Sequence, residues 1–314
     1  MRILFWGTSD FAVPGLRALI GEGHEVVGVV TQPDRPAGRG RALRSSPVKE
    51  LALEEAIPVF QPERARGADV MARLREFNPE ISVVIAYGQI LKPDVLDLPP
   101  LGSINLHASL LPELRGAAPI NWAIIRGHEQ TGVSIIRMNE RMDAGAIILQ
   151  IHEPILEDER ASDLWARLSE IGAAALVEAL ALIEAGLHEE RPQDDAKASL
   201  APRIEREDAR IDWKKSATEL HRWIRGMDSV PGAWSQLNDQ EVKLFRPRIT
   251  EDHSPKSEPG TVVEVHEHDE SDGFLVACGV GALWIREVTP PGKRRMTAGA
   301  WARGRGIQVG DHFV

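Results

Sequence analysis

Cysteine is almost missing from this chain. Cys278 is the one thiol in 314 residues, so an intramolecular disulfide is impossible and a cysteine-built metal centre is not expected. No apolar run reaches the roughly 18 to 20 residues that a membrane span requires. The opening Met1-Arg2-Ile3-Leu4-Phe5-Trp6-Gly7 lacks the basic start, long apolar stretch and small-residue cleavage site of a signal peptide. A soluble, cytoplasmic protein is therefore expected. An excess of positive charge is also lacking: the net charge is −10, which argues against an indiscriminate nucleic-acid binder, because phosphate contacts need clustered cations. A dinucleotide fingerprint is absent too. Gly7-Thr8-Ser9-Asp10-Phe11-Ala12 carries only the first glycine of Gly-x-Gly-x-x-Gly, so no nicotinamide cofactor is expected. No internal repeat is visible.

What is present is ordinary globular material, 43% hydrophobic and 27% charged, enough for a sizeable core. At this length two domains are the natural division. The charge is unevenly spread: positions 1–205 hold 21 basic and 30 acidic residues, positions 206–314 hold 16 and 17. The acidity lies almost wholly in the first part, which leaves the second free to carry a local basic face.

Strand and helix patterns alternate along the first part. Arg2–Trp6 is a short apolar run; Leu16, Leu19 and Ile20 follow at helical spacing; Glu25–Thr31 is a Val-rich strand. Val70–Phe77 reads as a helix, Ile81–Ala86 as a strand buried on both faces, and Ser103–His107 as another strand. A helix over Ala118–Arg126, a strand over Val133–Met138 and a long amphipathic helix over Leu164–Glu184 complete the series. Such alternation implies an α/β fold with a doubly wound, mostly parallel, Rossmann-like sheet. The polar stretch that follows reads as a linker. Ser216 and Glu219 form a capping box, and then short strands over 242–245, 261–265, 274–277 and 282–288, punctuated by Gly and Pro, suggest a small β-barrel. The expected division is 1–188, a linker over 189–208, and 209–314.

Two places could carry chemistry. Asn105 and His107 sit two apart on a strand, so their side chains face the same way, at the strand end where open α/β sheets place ligands. An amide donor beside an imidazole can hold a carbonyl oxygen while a proton moves, although a hydrogen-bonded structural histidine fits the same spacing. Asp143 lies at a turn, between Met142 and the small residues Ala144 and Gly145. It could be a turn-former through its own backbone or could orient His107, and spacing alone leaves both open.

The motifs Asn105-Leu106-His107, Ser109-Leu110-Leu111-Pro112 and Arg115-Gly116-Ala117-Ala118-Pro119-Ile120 resemble the signature of the formyltetrahydrofolate-dependent formyltransferases. Met142-Asp143-Ala144-Gly145 is similar to that family's Asp-x-Gly element. The resemblance implies that Asn105, His107 and Asp143 are the catalytic set, with no metal. It also implies that Ser109, Leu110, Leu111 and Pro112, with Tyr87, Gly88 and Ile90 of Ala86–Leu91, contact the folate. The formyl donor implied is 10-formyltetrahydrofolate.

Positions 31–49 hold Arg35, Arg39, Arg41, Arg44 and Lys49 against Asp34 alone, a net +4 island in an acidic half. A Gly/Pro/Arg loop is usually a solvated turn, but this one follows a sheet strand and could overhang the site. It resembles the insertion loop of the family members that act on methionyl-tRNA. That resemblance makes Arg35, Arg39 and Arg41 candidate tRNA contacts, with Arg39 central, and initiator methionyl-tRNA the partner. The segment from Ala209-Arg210-Ile211-Asp212-Trp213 onward is similar to the family's OB-like barrel, which supports the tRNA. Lys214, Lys215, Arg222, Arg225, Arg246, Arg248 and Lys293-Arg294-Arg295 are its candidate phosphate contacts. A monomer without membrane association is expected. Asn139, Ala146 and Glu113 depart from residues common in relatives, which leaves substrate details open. The alternatives are a formyltransferase acting on a sugar-nucleotide amine, and a non-catalytic RNA-binding relative.

Overall fold

The structure is a computed structural model, and it describes residues 1–37, 42–250, 256–267 and 272–314. The chain divides into two compact units. Met1–Pro119, Gln130–Pro154 and Trp165–Pro202 form the first, while Ile120–Glu129, Ile155–Leu164 and Arg203–Val314 form the second.

The first unit is built on a seven-stranded sheet with strands β1 (Arg2–Gly7), β2 (Glu25–Val30), β5 (Val59–Phe60), β6 (Ile81–Ile85), β7 (Ser103–His107), β8 (Gln130–Arg137) and β9 (Ile147–Pro154). Between β2 and β5 the chain forms a separate two-stranded hairpin, β3 (Arg35–Ala37) and β4 (Ala42–Arg44). The strand order is β5-β2-β1-β6-β7-β8-β9. Pairing is parallel from β5 to β7 and antiparallel for β7–β8 and β8–β9. This is the doubly wound, mostly parallel sheet that the alternation implied. Strand β9, which the sequence reading did not assign, supplies its antiparallel edge. Helices α1 (Val13–Gly21), α2 (Pro47–Glu54), α3 (Ala68–Glu76), α4 (Pro93–Leu96) and α6 (Ala161–Glu184) occur along the same stretch, while α5 (Pro119–Ile125) belongs to the second unit but for Pro119. Every residue of β6 is buried, as expected of a central strand covered on both faces. Trp6 is fully buried and donates its indole N–H to Ser82 Oγ at 3.2 Å, so the polar edge of the largest core side chain is satisfied.

The segment read as a linker is structured over its first part. Arg191 exchanges both backbone hydrogen bonds with Ile147, at 2.8 and 2.9 Å. Further on, Arg115 N donates to Ser199 O at 2.8 Å, and Ala201 N donates to Arg115 O at 2.7 Å. Backbone pairing does this without an apolar period, so the composition did not reveal it.

In the second unit, helix α7 (Ala217–Gly226) starts at the capping box of Ser216 and Glu219. The strands are β10 (Trp234–Leu237), β11 (Gln240–Ile249), β12 (Val262–His266), β13 (Gly273–Ala277), β14 (Ala282–Thr289) and β15 (Met296–Thr297), and helix α8 (Ala298–Arg303) follows. They form an antiparallel sheet in the order β10-β11-β14-β13-β12, with β15 on β14. The C-terminal residues connect its two edges. Val314 exchanges backbone bonds with Gln236 at 3.1 and 2.9 Å, while Phe313 N donates to Gly260 O at 2.9 Å. This bridging satisfies both edge strands and gives the sheet its barrel-like closure. The core inside includes Trp213, Leu220, Ile224, Phe274, Ile285 and Phe313. No helix among the described residues is long and apolar enough to cross a membrane.

Candidate active site

Strand β7 lies between parallel β6 and antiparallel β8, with Val84 and Ile136 flanking Asn105 in register. Side chains alternate along it, so Leu106 points away from Asn105 and His107. A Cβ on Gly172 of α6 would lie 2.7 Å from the Leu106 side chain, so helix and strand are in close contact there. That contact fixes the strand whose opposite face carries the two polar residues.

His107 is buried at 6% exposure, and its Nε2 lies 2.9 Å from the Leu114 carbonyl oxygen. A carbonyl can only accept, so Nε2 carries the hydrogen and the neutral ring keeps its lone pair on Nδ1. Nδ1 lies 3.7 Å from Asp143 Oδ2, too long for a direct hydrogen bond. That carboxylate oxygen instead accepts the Gly116 N–H at 2.9 Å. Asp143 has a backbone φ of +50°, and Gly116 has +124°. Gly116 can be nothing larger, since a Cβ there would stand 2.6 Å from the Ala201 carbonyl oxygen. A proton taken up at Nδ1 would therefore face an opposite charge that a backbone N–H already holds in place. Asn105 is half-buried, and its carboxamide oxygen is buried without a partner among the described residues. Leaving such a group unsatisfied costs about 1–3 kcal/mol. A substrate that hydrogen-bonds it would remove that cost.

The structure thus brings Asn105, His107 and Asp143 together. The residues expected to contact folate are placed more unevenly. Ser109 is fully buried and donates its hydroxyl to Glu113 O at 2.7 Å, while its own carbonyl accepts from Ser134 Oγ at 2.6 Å. Leu111 is buried in a small cluster with Ile136 and Ile147, and Leu110 and Pro112 are half-buried. The loop after β6 emerges at the same sheet edge as His107. There Gly88 and Ile90 are exposed, but the Tyr87 side chain is in the core, edge-on to Trp6 at 5.2 Å. Its hydroxyl has no partner among the described residues, and burial pushes the phenol up to about 12.

Residues that the sequence reading missed hold this site. The Leu114 carbonyl and the Gly116 N–H act through backbone atoms. Gln193, from the polar stretch, donates from Nε2 to the carbonyls of Asp143 and Gly145, each at 2.8 Å. No periodicity signals such contacts.

Within the basic island, Arg35–Ala37 pairs antiparallel with Ala42–Arg44. Arg35 pairs with Arg44 across the two strands, and both are exposed. Arg39 and Arg41 lie outside the described residues. The hairpin's base is tied by Thr31 Oγ1 to Ser46 Oγ at 2.8 Å and by Lys49 Nζ to Asp34 Oδ2 at 2.7 Å. Gln61 Nε2 also donates to Asp34, at 2.8 Å, and these bonds from Lys49 and Gln61 hold the Asp34 carboxyl below its usual range. Lys49 therefore neutralises the one acid of the island.

The second unit's candidate cations also sort by structure. Arg225 is buried and donates to the Glu159 carbonyl at 2.9 Å. Arg295 grips Asp228 with two bonds of 3.0 Å and lies over the Phe245 ring. Both serve the fold. Lys214, Lys293 and Arg294 are exposed. A cleft of about 830 Å³ is lined by Arg246, Arg248, Arg286 and Trp284, among others.

A family model described as "Formyl transferase" matches residues 1–180, and one described as "Formyl transferase, C-terminal domain" matches residues 203–306. The chain is 46% identical over 313 residues to the methionyl-tRNA formyltransferase of Symbiobacterium thermophilum, covering 100% of this chain and 95% of that one. It is 44% identical over 311 residues to the methionyl-tRNA formyltransferase of Bacillus subtilis, covering 99% and 96%. Among solved structures, HypX from Aquifex aeolicus in complex with tetrahydrofolic acid is similar, with a TM-score of 0.67 and 22% identity. That likeness covers 98% of this chain but 47% of HypX, about half its length, and concerns the fold.

Proposed function

Since the chain belongs to the formyl transferase family, we propose that it transfers a formyl group from 10-formyltetrahydrofolate to the α-amine of methionine on initiator tRNA. The observation that carries the chemistry is the group at the end of β7. There the Asn105 carboxamide oxygen is without a partner among the described residues, and His107 turns the lone pair of Nδ1 toward an Asp143 carboxylate 3.7 Å away.

The amine nitrogen attacks the formyl carbon, and the carbonyl electron pair moves onto oxygen. Asn105 Nδ2 donates to that oxygen as charge develops, a contribution of about 3–4 kcal/mol for such a donor. The orphan Oδ1 of the same carboxamide accepts from the attacking amine, which aligns it. His107 Nδ1 takes the proton that the amine releases, and Asp143 faces the imidazolium so formed. The tetrahedral centre collapses, the bond from carbon to the folate nitrogen breaks, and the proton passes to that nitrogen. Formylmethionyl-tRNA and tetrahydrofolate leave.

Support for the tRNA substrate comes from full-length similarity to two methionyl-tRNA formyltransferases and from the exposed arginine pair of the β3–β4 hairpin. On this reading residues 1–188 hold the folate and do the chemistry, residues 209–314 support the tRNA, and the setting is the cytoplasm. The test is a formylation assay with labelled 10-formyltetrahydrofolate that compares methionylated initiator tRNA, methionylated elongator tRNA and an amino-sugar nucleotide. Label should enter the initiator tRNA first and the sugar not at all. Label in the sugar alone would overturn the proposal. Replacement of Arg39 by Ala should abolish transfer to tRNA while donor hydrolysis continues.

A further inference from the structure

Three consecutive residues divide the work of holding the catalytic pair. Leu114 gives its carbonyl to His107 Nε2 at 2.9 Å, and Gly116 gives its N–H to Asp143 Oδ2 at 2.9 Å. Arg115 between them is 7% exposed and turns its guanidinium onto Gln193 and Asp195. Gln193 Oε1 accepts from Arg115 Nε at 3.0 Å and Nη2 at 2.7 Å. The Gln193 amide then donates both its hydrogens, to Asp143 O and Gly145 O at 2.8 Å each. Two donors and two acceptor sites are all that a carboxamide has, so Gln193 is fully engaged.

The surroundings make this a stiff cross-link. Asp195 accepts from Arg115 and, at 2.8 Å, from Arg141 Nη2, which lies two residues before Asp143. Those two arginines, Arg141 first, hold the Asp195 carboxyl below its usual range. The backbone on either side of Gln193 is pinned, through Arg191 to Ile147 and through Ser199 and Ala201 to Arg115. Asp143 itself sits at φ +50°, a conformation that a non-glycine residue keeps only when its neighbours over-determine it. The Gln193 contacts fall on the carbonyl of that very residue and on one two residues later.

We propose that Gln193 is a positioning residue for the His107–Asp143 pair, locking the turn that carries Asp143 to the turn whose backbone holds His107. This rests on reading His107 and Asp143 as the catalytic pair. A slip of one turn against the other would change both hydrogen-bond partners of the site together, because Leu114 and Gly116 flank the residue that Gln193 grips. Misplacement of about 1 Å in such a site can cost about 100-fold in rate.

The test uses Gln193→Glu and Gln193→Ala in the full chain. Glutamate keeps the length and the acceptor for Arg115 but offers no hydrogen to the two carbonyls; alanine removes the side chain without adding charge. Both should lower kcat about 10- to 100-fold, with KM for 10-formyltetrahydrofolate changed less than about three-fold. Nitrogen NMR of labelled histidine should report Nε2–H for His107 in the parent and a mixture of tautomers in either variant that melts cooperatively. General destabilisation would not alter the tautomer of the folded protein. Parental kcat and an unchanged His107 tautomer in either folded variant overturn the proposal. Asp143→Asn is assayed beside them. If it is inactive while the Gln193 variants keep parental turnover, the positioning role alone is lost. If it turns over normally, the catalytic reading beneath the proposal is lost.

Discussion

Replacement of Gly116 by alanine tests whether the backbone that faces Asp143 is as constrained as its geometry indicates. Two costs add. The residue has φ +124°, where an L side chain is strained by about 1–3 kcal/mol. The new Cβ would stand 2.6 Å from the Ala201 carbonyl oxygen. That carbonyl cannot retreat cheaply, because it accepts from Ala118 N at 3.2 Å while Ala201 N donates to Arg115 O at 2.7 Å. Overpacking against a fixed neighbour costs a further 1–3 kcal/mol or so. Gly88 provides the reference: its φ is +90°, but a Cβ there meets nothing within 4 Å, so Gly88→Ala carries the strain without the clash. Gly116→Ala should therefore be less stable than Gly88→Ala by about 1–3 kcal/mol. At roughly 2–4 °C per kcal/mol for a domain of this size, thermal melts should separate by several degrees. Formyl transfer by folded Gly116→Ala should fall about ten-fold or more, since the N–H that holds Asp143 moves with the clash. Coincident melting curves for the two variants would show that the Ala201 carbonyl does not constrain Gly116.

Three further outcomes follow from other parts of the chain. Tyr87→Phe removes a buried hydroxyl that has no partner among the described residues and should raise stability by about 1 kcal/mol, with activity retained. The Tyr87 phenol is raised by burial from 10.0 to about 12, so an unfolded chain ionises first. Stability should be flat in this respect below pH 10 and fall between 10 and about 12 in the parent, but not in Tyr87→Phe; equal slopes in denaturant titrations would contradict this. Burial, then Arg225 and Arg222, lower His221 from 6.5 to about 4. An unfolded chain takes that proton first, so its contribution is present above pH 6.5 and lost as pH falls through about 4. His221→Asn should flatten the profile there, and an unaltered slope would count against it. Finally, Asp34→Ala unties the hairpin base from Lys49 and Gln61; KM for tRNA should rise several-fold while KM for the formyl donor stays constant, and a change in the donor constant instead would contradict the hairpin's role.

Much of the first unit's sheet was legible because its strands are apolar and its helices periodic: Ile81–Ala86 and Ser103–His107 lie where β6 and β7 are found. The β3–β4 hairpin was not legible, since Gly, Pro and Arg offer no alternation of apolar and polar residues. Nor was the bridging role of residues 313 and 314, which rests on main-chain pairing. In the site, the two-residue period of a strand put Asn105 and His107 on one face, but a structural histidine fits that spacing and an ordinary turn residue fits Asp143, so all three needed the family resemblance to be read as one set. Leu114 and Gly116 were out of reach because they act through a carbonyl and an N–H that nearly every residue possesses. The direction of the Tyr87 ring was out of reach for a related reason: a loop position says nothing of which way a ring turns, and Trp6 offered this one an apolar partner.

In the proposed reaction the Asn105 carboxamide stabilises the charge developing on the formyl oxygen. Asn105→Asp preserves the shape and replaces the donor by a carboxylate, so single-turnover formyl transfer to methionylated initiator tRNA at saturating donor tests the claim directly. The rate should fall about 100- to 1,000-fold, with the fold and tRNA binding intact. A rate within about three-fold of the parent would contradict it.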